Sequence, residues 1–110
     1  MLLPNPERAV VDIVKLRDYC LSPAHPVGKH KAKVFQSALG LTSADALFLQ
    51  QTLLNAASVQ EVTPGDLDLF GQRYTLDLDV VFHSRSARVR SSWIVLVAED
   101  FPRLVTCYVL

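Results

Sequence analysis

The stretch Tyr74-Thr75-Leu76-Asp77-Leu78-Asp79-Val80-Val81-Phe82 decides the fold, because apolar and polar side chains alternate along most of it. Alternation with a period of two is typical of a β-strand that buries one face. His83-Ser84-Arg85-Ser86 follows as a hairpin turn, and the segment from Ala87 to about Val97 predicts the returning strand. Asp100-Phe101-Pro102 interrupts that strand, and Arg103 to Leu110 predicts a last one.

The sequence before this stretch has helical rather than alternating patterns. Asp12 is a good N-cap for a helix that runs through Cys20 and stops before Ser22-Pro23. A second helix is predicted from about Lys29 to Leu39, with Gly40 as its C-cap. Thr42-Ser43-Ala44-Asp45 resembles a capping box and opens a third helix that continues through Ala57.

The change of period falls near residue 63, where Thr63-Pro64-Gly65 reads as a turn. A further short strand at Val59 to Val62 is also predicted before it. Together the elements predict an α+β fold, in which three N-terminal helices pack on a three- or four-stranded, mainly antiparallel sheet. The length of 110 residues predicts a single domain spanning 1–110.

Composition excludes several classes of protein. Half of the residues are hydrophobic and 20% are charged, which excludes a disordered tail, and 2 cysteines exclude a disulfide-dense mini-protein. No apolar run approaches the roughly 18 residues that a membrane span needs. The segment Met1 to Glu7 lacks the basic region of a signal peptide, so we expect a cytoplasmic protein.

Charge is balanced overall but segregated along the chain. Basic and acidic residues number 11 each, yet no acidic residue lies between Tyr19 and Ala44, where Lys29, Lys31 and Lys33 occur. The buried stripe predicted for the second helix consists of Ala32, Phe35, Ala38 and Leu39. Lys31 precedes Phe35 by one helical turn and borders this stripe. Its ammonium either extends outward to solvent or faces a cleft that holds phosphate, and the sequence leaves both open.

His25 and a set of arginines are the other candidates for chemistry. His25 lies between Pro23 and Pro26, where it could exchange a proton near neutral pH or cap a neighbouring helix. Arg90 is predicted to lie opposite Asp79 in the hairpin, so cross-strand ion pairing suffices to explain it. Arg73 and Arg103 fall at strand ends, which commonly line clefts between a sheet and its helices.

Several motifs together resemble an uncharacterised bacterial domain family. Its members occur as short free-standing proteins and as C-terminal modules of polymorphic toxins and phage minor-head-type proteins. The motifs that carry the resemblance span nearly the whole chain: Pro4-Asn5, His25-Pro26-x-Gly28-x-x-Lys31-Ala32-x-x-Phe35, Leu39-Gly40, Gly71-Gln72-Arg73-Tyr74, Val89-Arg90-x-x-Trp93-Ile94 and Pro102-Arg103-Leu104-x-Thr106. The order of helices before an antiparallel sheet is similar, at fold level, to the barnase and colicin-nuclease group of ribonuclease toxins.

The resemblance implies a ribonuclease-like toxin domain that cleaves RNA without metal or cofactor and has a small antitoxin-like partner protein. For that chemistry we expect His25 as the acid–base group and Lys31, Arg73 and Arg103 as a phosphate clamp. Lys29, Arg90 and Thr106 are predicted to make secondary contacts with substrate. The alternative function is a non-catalytic protein–protein interaction module, which could form a homodimer through an exposed strand edge or the C-terminal strand.

Overall fold

The computed structural model describes all 110 residues and places the helices before the sheet. The helices are α1 (Ile13–Lys15), α2 (Lys29–Leu39) and α3 (Ala46–Val59). The strands are β1 (Thr63–Leu67), β2 (Gly71–Phe82), β3 (Arg85–Leu96) and β4 (Pro102–Val109). All neighbouring strands are antiparallel and follow the order β1-β2-β3-β4. The predicted α+β class and the antiparallel sheet are confirmed.

One face of the sheet carries the hydrophobic core, and the helices cover that face. The core contains 22 buried residues. In α2, Phe35 and Leu39 belong to this core and Ala32 is buried, in agreement with the predicted stripe. The opposite face of the sheet carries the polar residues that alternate with the core residues, and no helix packs against it at the Asp77–Arg90 row.

A bulge in β4 fixes which of its side chains reach the core. Ser92 pairs with Thr106 and Trp93 pairs with Leu104, so Val105 is an extra residue on β4. The extra residue lets both Leu104 and Cys107 be buried, although they are three positions apart.

The first predicted helix is only partly correct. Asp12 accepts a hydrogen bond from the Val14 amide, as an N-cap should, but the α-helix ends at Lys15. A wider, π-helical turn follows at Leu16–Cys20, because the Leu21 amide donates to the Leu16 carbonyl. This wider turn lets the side chains at both of its ends and the following leucine be buried.

The strand predicted at Val59 to Val62 is wrong. α3 continues through Val59, and the strand instead covers Thr63–Leu67, where the sequence indicated a turn. Every residue of this strand is exposed, so no alternation marks it in the sequence. Pro64 is tolerated there because β1 is an edge strand, where an N–H that faces solvent makes no hydrogen bond within the sheet.

The predicted hairpin register is also wrong. Arg90 lies opposite Asp77, not Asp79, and Arg88 takes the position opposite Asp79. The turn contains two residues instead of four, since β2 pairs with β3 up to its last residue, Phe82. His83 adopts a φ of 54°, the left-handed conformation that a two-residue hairpin turn requires.

None of the helices could cross a membrane, given their length and composition.

We expect Ser91→Ala to destabilise the fold. Ser91 is a fully buried polar residue; its hydroxyl donates to the Leu76 carbonyl at 2.7 Å and accepts from Trp93 Nε1 at 2.9 Å. The alanine leaves the buried Trp93 Nε1 N–H unpaired and removes the hydroxyl bond to the Leu76 carbonyl, and should lower the free energy of unfolding by about 1–3 kcal/mol. Denaturant unfolding measures this change.

Ser86→Ala is the matched control, because Ser86 is an exposed residue of the same strand. It should change the free energy of unfolding by no more than about 0.5 kcal/mol. Equal stability of the two variants would contradict the structural role of the Ser91 hydroxyl.

Candidate functional site

A cavity of about 580 Å³ opens at the β4 edge of the sheet, between α2 and the segment that carries α1. We call it the Lys31 pocket. It is lined by residues of four separate segments: Asp12, Val14, Lys15, Asp18, Tyr19, His25, Lys31, Val105 and Thr106. Three of the residues predicted to carry function, His25, Lys31 and Thr106, are therefore brought together.

The Lys31 ammonium contacts side chains from two other segments of this pocket. It donates to the Tyr19 hydroxyl at 3.2 Å and to the Thr106 hydroxyl at 3.1 Å. It also lies 4.9 Å from the centroid of the Tyr19 ring, within the range of a cation–π contact. Both hydrogen-bond acceptors are neutral, so no carboxylate is hydrogen-bonded to the Lys31 ammonium.

His25 forms one wall of the pocket and holds the loop before α2. Its Nδ1 accepts hydrogen bonds from the amides of Val27 at 3.0 Å and Gly28 at 2.9 Å. These two bonds assign the proton of the neutral ring to Nε2, which makes His25 a hydrogen-bond donor towards its surroundings. Its ring meets the Tyr19 ring edge-on, with 4.7 Å between the centroids.

The loop before α2 is held close to the preceding turn by a glycine. A β-carbon at Gly28 would collide with the backbone carbonyl of Tyr19. The backbones can approach this closely only because Gly28 has no side chain. The contact fixes the position of Tyr19 relative to the start of α2, and so relative to Lys31.

The predicted arginines lie outside the Lys31 pocket, and each is paired with a carboxylate. Arg73 Nε lies 2.8 Å from Asp68, and Arg103 and Arg90 each form two hydrogen bonds with a single carboxylate. Hydrogen bonding to the arginine lowers the pKa of the carboxyl partner in each pair: Asp68, Asp77 and Glu99. The structure thus does not bring Arg73 or Arg103 to Lys31 as a clamp.

Lys29, the remaining predicted contact residue, lies on another surface. It lines a separate cavity of about 360 Å³ together with Pro23, His30, Lys33 and Gln36. It therefore contributes to the charge around the start of α2, but its side chain does not line the Lys31 pocket.

Two residues that the sequence analysis missed also line the pocket. Lys15 Nζ donates to the Leu104 carbonyl at 3.3 Å, and Tyr19 supplies the hydroxyl that Lys31 binds. Lys15 and Tyr19 are four positions apart in the predicted first helix, a spacing that puts them on one face. From that spacing the sequence could have indicated that this lysine and this tyrosine lie beside each other.

The two cysteines are free, buried and adjacent, beneath the Lys31 pocket. The pKa of Cys20 is lowered to about 6, mainly by a hydrogen bond from Cys107. Burial opposes this shift, whereas Thr106 and Lys31 add to it. The same interaction, together with burial, raises the pKa of the Cys107 thiol. No group of three or more His, Cys, Asp or Glu side chains is arranged to hold a metal ion.

The fold and the pocket define an α+β protein with a lysine held in an open cavity at the edge of its sheet. The chain belongs to the family described as Domain of unknown function (DUF6883), whose model matches residues 2–110. No curated protein and no solved structure matches the chain, so the likeness to barnase and the colicin nucleases stays an expectation.

We expect two free thiols of unequal acidity. Thiolate absorbance of the folded protein should show one ionisation at about pH 6, because the thiol of Cys107 stabilises the Cys20 thiolate. Since the pKa of Cys20 is lowered by folding, the resulting stabilisation is complete above the unfolded value near 9.0 and is lost as pH falls through about 6.

Cys107→Ala removes the donor and should move the Cys20 ionisation upward, towards 9.0. Titration of the unfolded protein without reductant should count both thiols. A Cys20 ionisation above neutral pH in the wild-type protein that Cys107→Ala leaves unchanged would contradict the hydrogen bond between the cysteines.

Proposed function

We propose that this protein is a ribonuclease-like toxin domain that binds an RNA phosphodiester at Lys31 and cleaves it without metal. The observation that carries the proposal is the Lys31 ammonium, which is held in an open cavity by two neutral hydroxyls. An anion entering the cavity does not have to displace a carboxylate from this lysine. A fixed cation of this kind stabilises the negative charge that develops on the phosphoryl oxygens during cleavage.

The pairing of charges across the molecule supports a phosphate at this place. Six arginines form ion pairs with acidic residues: Arg8, Arg17, Arg73, Arg88, Arg90 and Arg103. The lysines follow another pattern, because Lys15 and Lys31 bind neutral oxygens only. The arginines over the sheet are consequently paired, whereas the two lysines of the Lys31 pocket make no ion pair with the Asp12 and Asp18 carboxylates that also line it, although the net charge of the chain is zero.

Metal-free cleavage needs a base, an acid and a cation. In the reaction the 2′-hydroxyl loses its proton and attacks phosphorus, the bond to the 5′-oxygen breaks, and that oxygen takes up a proton. The carboxylate of Asp12, one oxygen of which binds the Val14 amide, lines the pocket and is proposed as the base. The Lys31 ammonium, in contact with the Tyr19 hydroxyl, is proposed as cation and proton source, and His25 Nε2 as a donor to a phosphoryl oxygen.

The biological setting is proposed from the motifs and not from the pocket. The resemblance to modules of polymorphic toxins suggests a protein that acts in the cytoplasm and is restrained by a small antitoxin-like partner. Arg73, Arg90 and Arg103 are then more suited to contacts with a partner or with remote parts of the RNA than to the reaction itself, since carboxylates already neutralise them.

Lys31→Met tests the proposed reaction. Methionine keeps the aliphatic packing beside Tyr19 but removes the charge, and should lower the rate of RNA cleavage by about a hundred- to a thousandfold. Cleavage of single-stranded RNA by the purified protein is measured with EDTA present, and growth arrest is followed on induced expression.

Lys33→Ala is the matched control, because Lys33 lies on the same helix but outside the pocket. It should weaken binding mildly and reduce its salt dependence by about one charge or less. Equal rates for both variants would contradict the role of Lys31. RNA left intact with and without divalent metal, and no growth arrest, would overturn the proposed function.

A second candidate function is supported by an exposed apolar surface at the end of the sheet where β1 turns into β2 and β3 ends. We call it the β1–β2 patch, and its members are 68–94% exposed: Leu67, Leu69, Phe70 and Val97. The Val97 amide donates to the Phe70 carbonyl, which holds the residue after β3 beside the turn between β1 and β2. Clusters of this kind commonly mark protein–protein interfaces. They fit the alternative of an interaction module that forms a homodimer.

If the β1–β2 patch joins two copies, Leu69→Ser should shift a dimer towards monomer in analytical ultracentrifugation. Leu69 is the most exposed member of the patch, so the substitution should leave the fold intact. Val81→Ser is the control, since Val81 is exposed on β2 outside the patch. A wild-type protein that is monomeric at high concentration would contradict self-association through this surface.

A further inference from the structure

The sheet face opposite the core carries a row of hydroxyl groups that ends at the Lys31 pocket. Thr63 pairs with Thr75, Thr75 with Ser92, and Ser92 with Thr106, so one hydroxyl residue of each strand lies beside the next. Directly opposite residues are about 5 Å apart across a sheet. The last hydroxyl of the row, that of Thr106, accepts the hydrogen bond from Lys31.

A second cavity lies along this row and adjoins the Lys31 pocket. It has a volume of about 340 Å³, and Val105 and Thr106 line both cavities. Thr75 and Ser92 line it in the middle of the sheet, and Asp66 and Arg73 line it towards β1. The extra residue of the β4 bulge, Val105, is thus the boundary across which a ligand could extend from one cavity into the other.

The polar groups of this second cavity suit an uncharged ligand with N–H donors. Arg73 is neutralised by Asp68, but Asp66 has no cationic partner and offers a carboxylate to the cavity. A phosphate would be repelled there. A neutral base would not be repelled. The two oxygens of a carboxylate match two adjacent N–H groups on a single edge of a base. Among the RNA bases, only guanine presents such a pair at neutral pH, at N1 and N2.

We propose that this second cavity binds the nucleobase attached to the phosphate at Lys31, and that Asp66 selects guanine. The hydroxyls of Thr75 and Ser92 lie between the two sites and bind the ribose or the base edge. The inference rests on the proposed function, because it takes the phosphate of an RNA chain at Lys31 as its starting point. It adds the substrate preference, which the Lys31 pocket by itself does not determine.

The test measures binding of short single-stranded oligoribonucleotides that are identical except for one base, by fluorescence anisotropy. The wild-type protein should bind the guanine oligonucleotide about tenfold more tightly than the other three, the discrimination typical of one bidentate contact with a base. Asp66→Asn should abolish this preference. Lys31→Met should weaken binding of all four oligonucleotides by a similar factor.

Glu61→Gln is the matched control, because it removes an exposed carboxylate on the same face that lines a different cavity. It should leave the guanine preference unchanged. Equal binding of all four bases by the wild-type protein, or a preference that survives Asp66→Asn, overturns the base site but leaves the proposed function standing if Lys31→Met weakens binding. No binding of any oligonucleotide overturns both.

Discussion

The close contact between Gly28 and the Tyr19 carbonyl determines where α2 lies, and much of the remaining structure depends on it. No β-carbon fits at that point, so the backbone of the loop rests directly on the preceding turn. The contact brings His25 against the Tyr19 ring and Lys31, in the first turn of the helix, onto the Tyr19 hydroxyl. Phe35 then reaches the core from the same helix. The contact between these two backbone segments therefore positions both a wall of the pocket and a helix of the core.

The two kinds of basic residue serve different purposes in this chain. The planar guanidinium groups of Arg90 and Arg103 match carboxylates with two hydrogen bonds each, which anchors side chains on the exposed face of the sheet. Lysine offers a point charge on a flexible stem and makes no comparable fork. Lys31 is instead fixed by single bonds to two hydroxyls, an arrangement that leaves its charge available to a ligand.

The sequence predicted the parts of the fold whose burial pattern is periodic. β2, β3 and α2 alternate or repeat clearly, whereas β1 is exposed at every residue and leaves no pattern to detect. The hairpin register depended on the left-handed backbone of His83, which residue types alone do not determine. At the site, Lys31 could be placed beside the core by spacing. The carboxylate partners of the arginines could not be predicted, because pairs such as Arg73 with Asp68 depend on how a turn folds.

A net charge of zero is compatible with binding a polyanion, because a bound ligand responds mainly to charges within a Debye length of about 8–10 Å. The paired arginines contribute little over that distance, while Lys15 and Lys31 face the cavity at β4, which Asp12 and Asp18 also line, and Asp66 faces its neighbour towards β1. The ammonium donors without an ion-pair partner thus lie at β4, and a carboxylate without one lies near β1. An anionic group is favoured at one end and a neutral hydrogen-bond donor at the other. A ligand with both groups, as in a nucleotide, would be bound in one direction across the strands.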